Sequence, residues 1–159
     1  MKIVIVGGVA GGATAAARLR RLDEEAEIVL FEKDKYVSYA NCGLPYHIGG
    51  TIEHREELFL QIPEGFRDRF RVDARVRTEV LAINPVEKTV TVKNLRTGVL
   101  YDEKSDTLIL SMGAKPVKPA LKGIEGDNIF PPRNGPDMDR IKAPIARTKH
   151  ASPGIVGAG

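Results

Sequence analysis

The chain opens on a short, continuous apolar run, Ile3-Val4-Ile5-Val6, β-branched throughout. That is the pattern of a strand buried on both faces in a parallel sheet. Gly7-Gly8-Val9-Ala10-Gly11-Gly12 follows at once. The next segment, Ala13 to Leu22, is rich in Ala, Leu and Arg and predicts a helix. Ala26 to Glu32 then predicts a second apolar strand that ends in an acid. Strand, glycine turn, helix and strand make a βαβ unit of roughly thirty residues.

Beyond that unit the pattern changes. Val37 to Gly50 predicts a loop and a short helix, and the charged stretch from Glu53 to about Arg71 predicts a helix. Val76 to Ile83, Thr89 to Lys93 and Gly98 to Tyr101 alternate as half-exposed antiparallel strands do. Asn84-Pro85 and Arg96-Thr97-Gly98 supply their turns. Thr107 to Leu110 predicts another buried strand, closed by Ser111-Met112-Gly113. From Lys115 to Pro136 the Pro- and Gly-rich sequence reads as a crossing linker, and Met138 to Ile145 as one amphipathic turn or two. Gly154-Ile155-Val156-Gly157-Ala158-Gly159 repeats the opening strand and turn without a helix after it. This predicts a chain that stops inside a second such motif.

Composition narrows the class. The 159 residues are 42% hydrophobic and 28% charged, enough for a core and too apolar for a disordered chain. No apolar run can span a bilayer, and no signal peptide opens the chain, so neither a membrane partner nor secretion is expected. The net charge of +3 comes with no long basic run, so no nucleic-acid partner is expected. One cysteine excludes an internal disulfide framework within these residues. His47, His54 and His150 show no ligand spacing, so no metal is expected. The expectation is a cytoplasmic α/β protein.

The glycine turn carries the first chemistry. Gly7-x-Val9-x-x-Gly12 departs from the dinucleotide pattern at its middle position, with Gly8 and Gly11 beside it. Small residues let the backbone approach a pyrophosphate, and a helix beginning near Gly11 aims its unpaired N–H groups at that anion. Glu32 lies twenty positions after Gly12, at the end of the second strand, where a carboxylate accepts from ribose hydroxyls. Gly7, Gly8, Val9, Ala10, Gly11, Gly12 and Glu32 are therefore candidate cofactor residues; the alternative is a tight turn with no ligand.

Cys42 stands in Ser38-Tyr39-Ala40-Asn41-Cys42-Gly43-Leu44-Pro45-Tyr46, where Pro45 suggests that a helix starts nearby. A thiol at a helix N-terminus has its thiolate favoured. Equally, a free cysteine is often a small buried hydrophobe. On the residues alone both readings stand.

Gly-Gly-Val-Ala-Gly-Gly-Ala-Thr, Phe-Glu-Lys and Ser-Tyr-Ala-Asn-Cys-Gly-Leu-Pro-Tyr together resemble the N-terminal part of the coenzyme A-disulfide reductases. These are the single-cysteine branch of the flavin-dependent pyridine nucleotide-disulfide oxidoreductases. The similarity continues through Ser111-Met112-Gly113-Ala114, Gly123-Ile124 and Arg133-Asn134-x-Pro136-Asp137-Met138-Asp139. It implies a Rossmann-like FAD-binding domain, a parallel sheet with an antiparallel β insert. Residues 1–114 would be its N-terminal part, 115–150 a crossing segment and 151–159 the opening of an NAD(P)-binding domain. The FAD would lie on the first βαβ unit, with Glu32 and Lys33 at its adenosine end and Val80, Ser111 and Gly113 among its contacts. Cys42 would be the redox cysteine, and a homodimer the full-length form. Two-cysteine members of the family carry a second cysteine where this chain has His47, so Cys42 would cycle as a mixed disulfide or a sulfenic acid.

Thr14, Arg18 and Arg21 share one stripe of the first predicted helix, and paired arginines suit a phosphorylated ligand. On the residues alone a solvated face is the commoner reading of such a stripe. The resemblance implies coenzyme A contacts at Thr14, Arg18, Arg21, Ser38 and Asn41, while Phe70, between Arg69 and Arg71, stands where a family lysine helps. Peroxidase and oxidase relatives place a histidine where this chain has Ala10, which cannot do acid–base work. The resemblance therefore implies NAD(P)H-dependent reduction of coenzyme A disulfide, or a related persulfide or polysulfide. The alternatives are NADH oxidase or peroxidase activity through a sulfenate, and a non-catalytic FAD-binding fragment.

Overall fold

The structure is a computed structural model and describes residues 1–147 and 154–155. His150 and the second glycine turn at Gly157-Ala158-Gly159 lie outside the described residues.

The apolar opening forms β1 (Lys2–Val6), followed by α1 (Ala10–Leu22) and β2 (Glu27–Glu32). A 3₁₀ turn at Asn41–Gly43 leads into α2 (Leu44–Ile48); a second at Arg55–Leu58 precedes α3 (Pro63–Phe70). Then come β3 (Val72–Val76), β4 (Thr78–Asn84), β5 (Thr89–Asn94), β6 (Leu100–Lys104), β7 (Thr107–Leu110) and α4 (Gly135–Arg147). A parallel sheet runs in the order β3-β2-β1-β7, and a separate antiparallel sheet in the order β4-β5-β6.

Both faces of the parallel sheet are covered, which is why β1 and β2 read as unbroken apolar runs. Ile3, Ile5, Ile28 and Leu30 pack against Ala13 and Ala16 of α1 and Phe66 of α3. Val4, Val29 and Phe31, on the opposite face, meet Val90 and Val92 of the antiparallel sheet. A third cluster joins Tyr39, Leu44 and Leu58 to Met138 of α4.

Several expectations are corrected. The single helix over 53–71 is a 3₁₀ turn, an extended link and the eight-residue α3, because the extended backbone at Ile62 and Pro63 after it start a new helix. The expected strand from Val76 to Ile83 is divided: residues 72–76 form β3 at the edge of the parallel sheet, and the antiparallel strand runs Thr78–Asn84. The strand at 107–110 is also an edge strand, and Leu110 is 51% exposed rather than buried. The turn or two expected at 138–145 is a thirteen-residue helix that contains Pro144. The third antiparallel strand runs Leu100–Lys104 rather than 98–101.

Candidate cofactor and cysteine site

Gly7 turns the chain with φ +97°, a conformation that L side chains rarely adopt. A Cβ there would stand 2.2 Å from the Ser111 carbonyl oxygen. Gly12 answers a different need: a Cβ would stand 1.8 Å from the Gly7 carbonyl oxygen, so glycine lets α1 lie against the turn. The helix begins at Ala10, ahead of the expected Ala13, with Val9 as its N-cap and no side chain capping it. The first-turn N–H groups of Ala10, Gly11 and Gly12 have no carbonyl one turn back to bond. No acid sits in that first turn, and Arg20 and Arg21 lie at the far end, so the dipole presents a positive pole to the turn.

Glu32 closes β2 and is buried. Its two oxygens accept from the backbone N–H groups of Gly8, at 2.8 Å, and Asp34, at 2.9 Å. Burial pushes its carboxyl above the ordinary value, although those two N–H groups pull the other way. Each carboxylate oxygen can accept a second bond, so ribose hydroxyls remain possible donors.

One cavity of about 840 Å³ opens where the C-terminal ends of β1, β2 and β7 meet β4. Gly7, Val9, Ala10, Gly11, Glu32 and Lys33 line it, together with Val80 of β4, Ser111 and Gly113 after β7, and Asn41. Crevices at the carboxyl ends of parallel strands are where open α/β sheets hold ligands. The donor set fits a dinucleotide: a glycine cradle without Cβ atoms, a helix start rich in N–H donors, and a carboxylate. Gly8 and Gly12 are not in the wall. A Cβ on Gly8 would meet Leu30 and Val37 side chains at 2.7 and 2.8 Å, so its role is packing beneath the turn.

The cysteine segment is tied to that turn by the Ser38 N–H, which donates to the Gly8 carbonyl at 2.8 Å. Ser38 is buried and takes φ +50°, and its own carbonyl accepts from Leu60 and Gln61. Cys42 sits in the 3₁₀ turn just ahead of α2, exposed, next to Asn41 but outside the cavity wall. Thr14, Arg18 and Arg21 lie exposed along α1. Phe70 packs its ring against Phe66, at 5.8 Å between centroids, with the Arg69 guanidinium over it.

Among the wall residues not named as candidates from the sequence are Asp34, Tyr39, Arg133 and Asn134. Asn134 donates to Asp34 at 3.1 Å, and Arg133 donates to the Met112 carbonyl at 3.1 Å, so the chain before α4 forms one side of the cavity. The signal was present in the spacing Asn134-x-x-Asp137, whose side chains cap the start of α4 reciprocally. Burial, with Asp34 and Glu32 nearby, pushes the Tyr39 phenol up to about 12. Among the described residues no three His, Cys, Asp or Glu side chains gather for a metal ion, and no helix is long and apolar enough to cross a membrane.

Residues 1–159 match the pyridine nucleotide-disulphide oxidoreductase family. The coenzyme A disulfide reductase of Staphylococcus epidermidis is 44% identical over 158 residues, 99% of this chain and 35% of the relative. The chain thus spans about a third of the length of the curated relatives it matches. A crystal structure of reduced Bacillus anthracis CoADR-RHD superposes with a TM-score of 0.88 at 56% identity, over 91% of this chain and 26% of that one. A NAD-dependent persulfide reductase from A. fulgidus gives 0.86 at 32% identity, over 92% and 27%.

Proposed function

Because the chain belongs to the pyridine nucleotide-disulphide oxidoreductase family, we propose that it is the flavin- and cysteine-bearing part of an NAD(P)H-dependent reductase of coenzyme A disulfide or a related persulfide or polysulfide. The observation that carries this reading is the cavity that gathers the glycine turn, the start of α1 and Glu32, with the neighbour of Cys42 in its wall. The activities named for the Staphylococcus and A. fulgidus relatives support a sulfur substrate. Ala10, which has no titratable group, supports it over peroxide or oxygen.

In this reading the N–H groups of α1 hold the pyrophosphate of FAD, Glu32 accepts from its ribose, and Lys33 lies at the same end. Val80 of β4, with Ser111 and Gly113 after β7, lines the same cavity. FAD, when bound, delivers the electron pair of NAD(P)H to the sulfur chemistry. The Cys42 thiolate attacks one sulfur of the substrate disulfide, breaks the S–S bond and releases one coenzyme A thiolate. Two electrons then cleave the mixed disulfide on Cys42 and release the second, so one NAD(P)H and one proton yield two thiols. Thr14, Arg18, Arg21, Ser38 and Asn41 are the proposed contacts of the coenzyme A moiety, the arginine forks serving its phosphates.

The test is Cys42→Ser in the full-length protein. Disulfide reduction is expected to vanish while the flavin absorbance of the purified protein is kept. A variant that still reduces coenzyme A disulfide ends the cysteine mechanism, and a full-length protein that binds no FAD ends the cofactor assignment.

A further inference from the structure

Helix α2 has only five residues, too few to hold itself helical without tertiary support. It follows directly on the turn that carries Cys42, so whatever docks α2 also sets where that turn sits. Leu44, at its start, is buried in the cluster that contains Met138 of α4. His47, in its last turn, is 4% exposed. The His47 Nδ1 lies 2.8 Å from the Ile52 carbonyl oxygen. A carbonyl can only accept, so Nδ1 carries the ring proton and Nε2 is left as an acceptor.

Lys142 of α4 supplies the donor: its ammonium lies 2.9 Å from Nε2 and 3.4 Å from Nδ1. Met138 and Lys142 are four residues apart and share a face of α4. Asp139, beside Met138, takes both Nε and Nη2 of Arg55 at 2.9 Å. The start of α4 is fixed by the Asn134–Asp137 cap, and Asn134 reaches Asp34 in the cavity wall. One helix therefore touches the cavity at its beginning and the cysteine segment further along.

We propose that Lys142, through its hydrogen bond to His47, is a positioning residue for Cys42. The bond fixes α2, and with it the cysteine turn, against the helix that also borders the cavity. A buried acceptor left unpaired is costly, so without Lys142 the imidazole turns to find water and α2 shifts with it. Attack on a disulfide needs the sulfur in line and close, and small displacements of a reacting group cost rate steeply. The proposal rests on the reading of Cys42 as the redox thiol.

The experiment compares Lys142→Met and Lys142→Arg in the full-length holoenzyme. The methionine variant is expected to lose about tenfold in kcat for disulfide reduction, with KM and bound flavin unchanged. Alkylation of Cys42 by iodoacetamide is expected to change rate in the same variant. The arginine variant, which still donates to Nε2, is expected to recover both. A methionine variant with unchanged kcat and alkylation, or equal losses in the two variants, overturns the proposal. Should Lys142→Met fail to fold, Lys142→Ala, which likewise leaves Nε2 without a donor, is read in the same way, and an unchanged kcat there overturns it equally. Retained reduction in Cys42→Ser would instead sink the underlying reading, whatever Lys142 does.

Discussion

Arg18, Arg20 and Arg21 lie within four positions of α1, and their surroundings assign them different work. The Arg20 guanidinium donates to the carbonyls of Asp23, Glu24, Ala26, Phe70 and Arg71. It thereby binds the end of α1 to the junction of α3 and β3, where Arg71 takes φ +48° as the helix C-cap. Arg18 and Arg21 are exposed. Arg20→Ala is therefore expected to lower stability by about 2–3 kcal/mol, read from chemical denaturation, because several carbonyls lose their donor at once. Arg18→Ala with Arg21→Ala is expected to shift stability by less than about 0.5 kcal/mol. The same pair is expected to raise KM for coenzyme A disulfide far more than for a small uncharged disulfide; equal effects on both would return them to a solvated face. Helical spacing picked out Arg18 and Arg21 because they share a stripe. It could not find Arg20, whose partners lie in segments separated from it by up to 51 positions.

At the scale of elements, one network links the two sheets. Lys2 of β1 bonds Glu27 of β2 and Glu103 of β6, each at 2.6 Å, while Arg75 of β3 bonds Asp73, Glu103 and the Tyr101 hydroxyl. Burial works against the charged Glu103 carboxyl, but the hydrogen bonds from Lys2 and Arg75 outweigh it and hold Glu103 below its ordinary value of 4.5. A carboxyl lowered by folding stabilises above its unfolded pKa and loses that contribution as pH falls through the folded value. Glu103→Gln is thus expected to cost about 1–2 kcal/mol at pH 7. The difference in melting temperature from the parent should shrink as pH drops below about 4.5; a gap that stays constant to pH 3 would refute the assignment. Arg75 and Asp73 belong to β3, the strand the sequence reading missed. Val72, Ala74 and Val76 do alternate, but with charged Asp73 and Arg75 between them and a charged helix just before, the strand pattern shows only from Val76, where it reads as part of the following antiparallel strand. β1, α1 and β2 were legible for the opposite reason: burial on both faces and a glycine turn leave no competing period.

At the scale of the molecule, the cavity lies between units whose hydrophobic clusters are distinct. The parallel sheet supplies its strand ends, the antiparallel sheet supplies β4, and the stretch 110–115 with Arg133 and Asn134 supplies a third side. Leu81, Ile83, Leu110 and Met112 in that wall are between 42% and 55% exposed, so apolar surface as well as N–H donors faces the space. A ligand touching all three sides would hold them together and stabilise the protein by mass action, about 2.7 kcal/mol at a hundredfold excess over Kd. The expected result in the full-length protein is that restoring FAD to deflavinated material raises the melting temperature. It should also slow amide exchange in three places: at 7–12, along β4 from Thr78 to Ile83, and at 110–113. Protection at the glycine turn alone would mean that only the pyrophosphate end is held by these residues. Protection along β4 and at 110–113 is the more telling, because β4 and β7 are both edge strands among the described residues, whose outward amides lack a neighbouring strand until a ligand covers them.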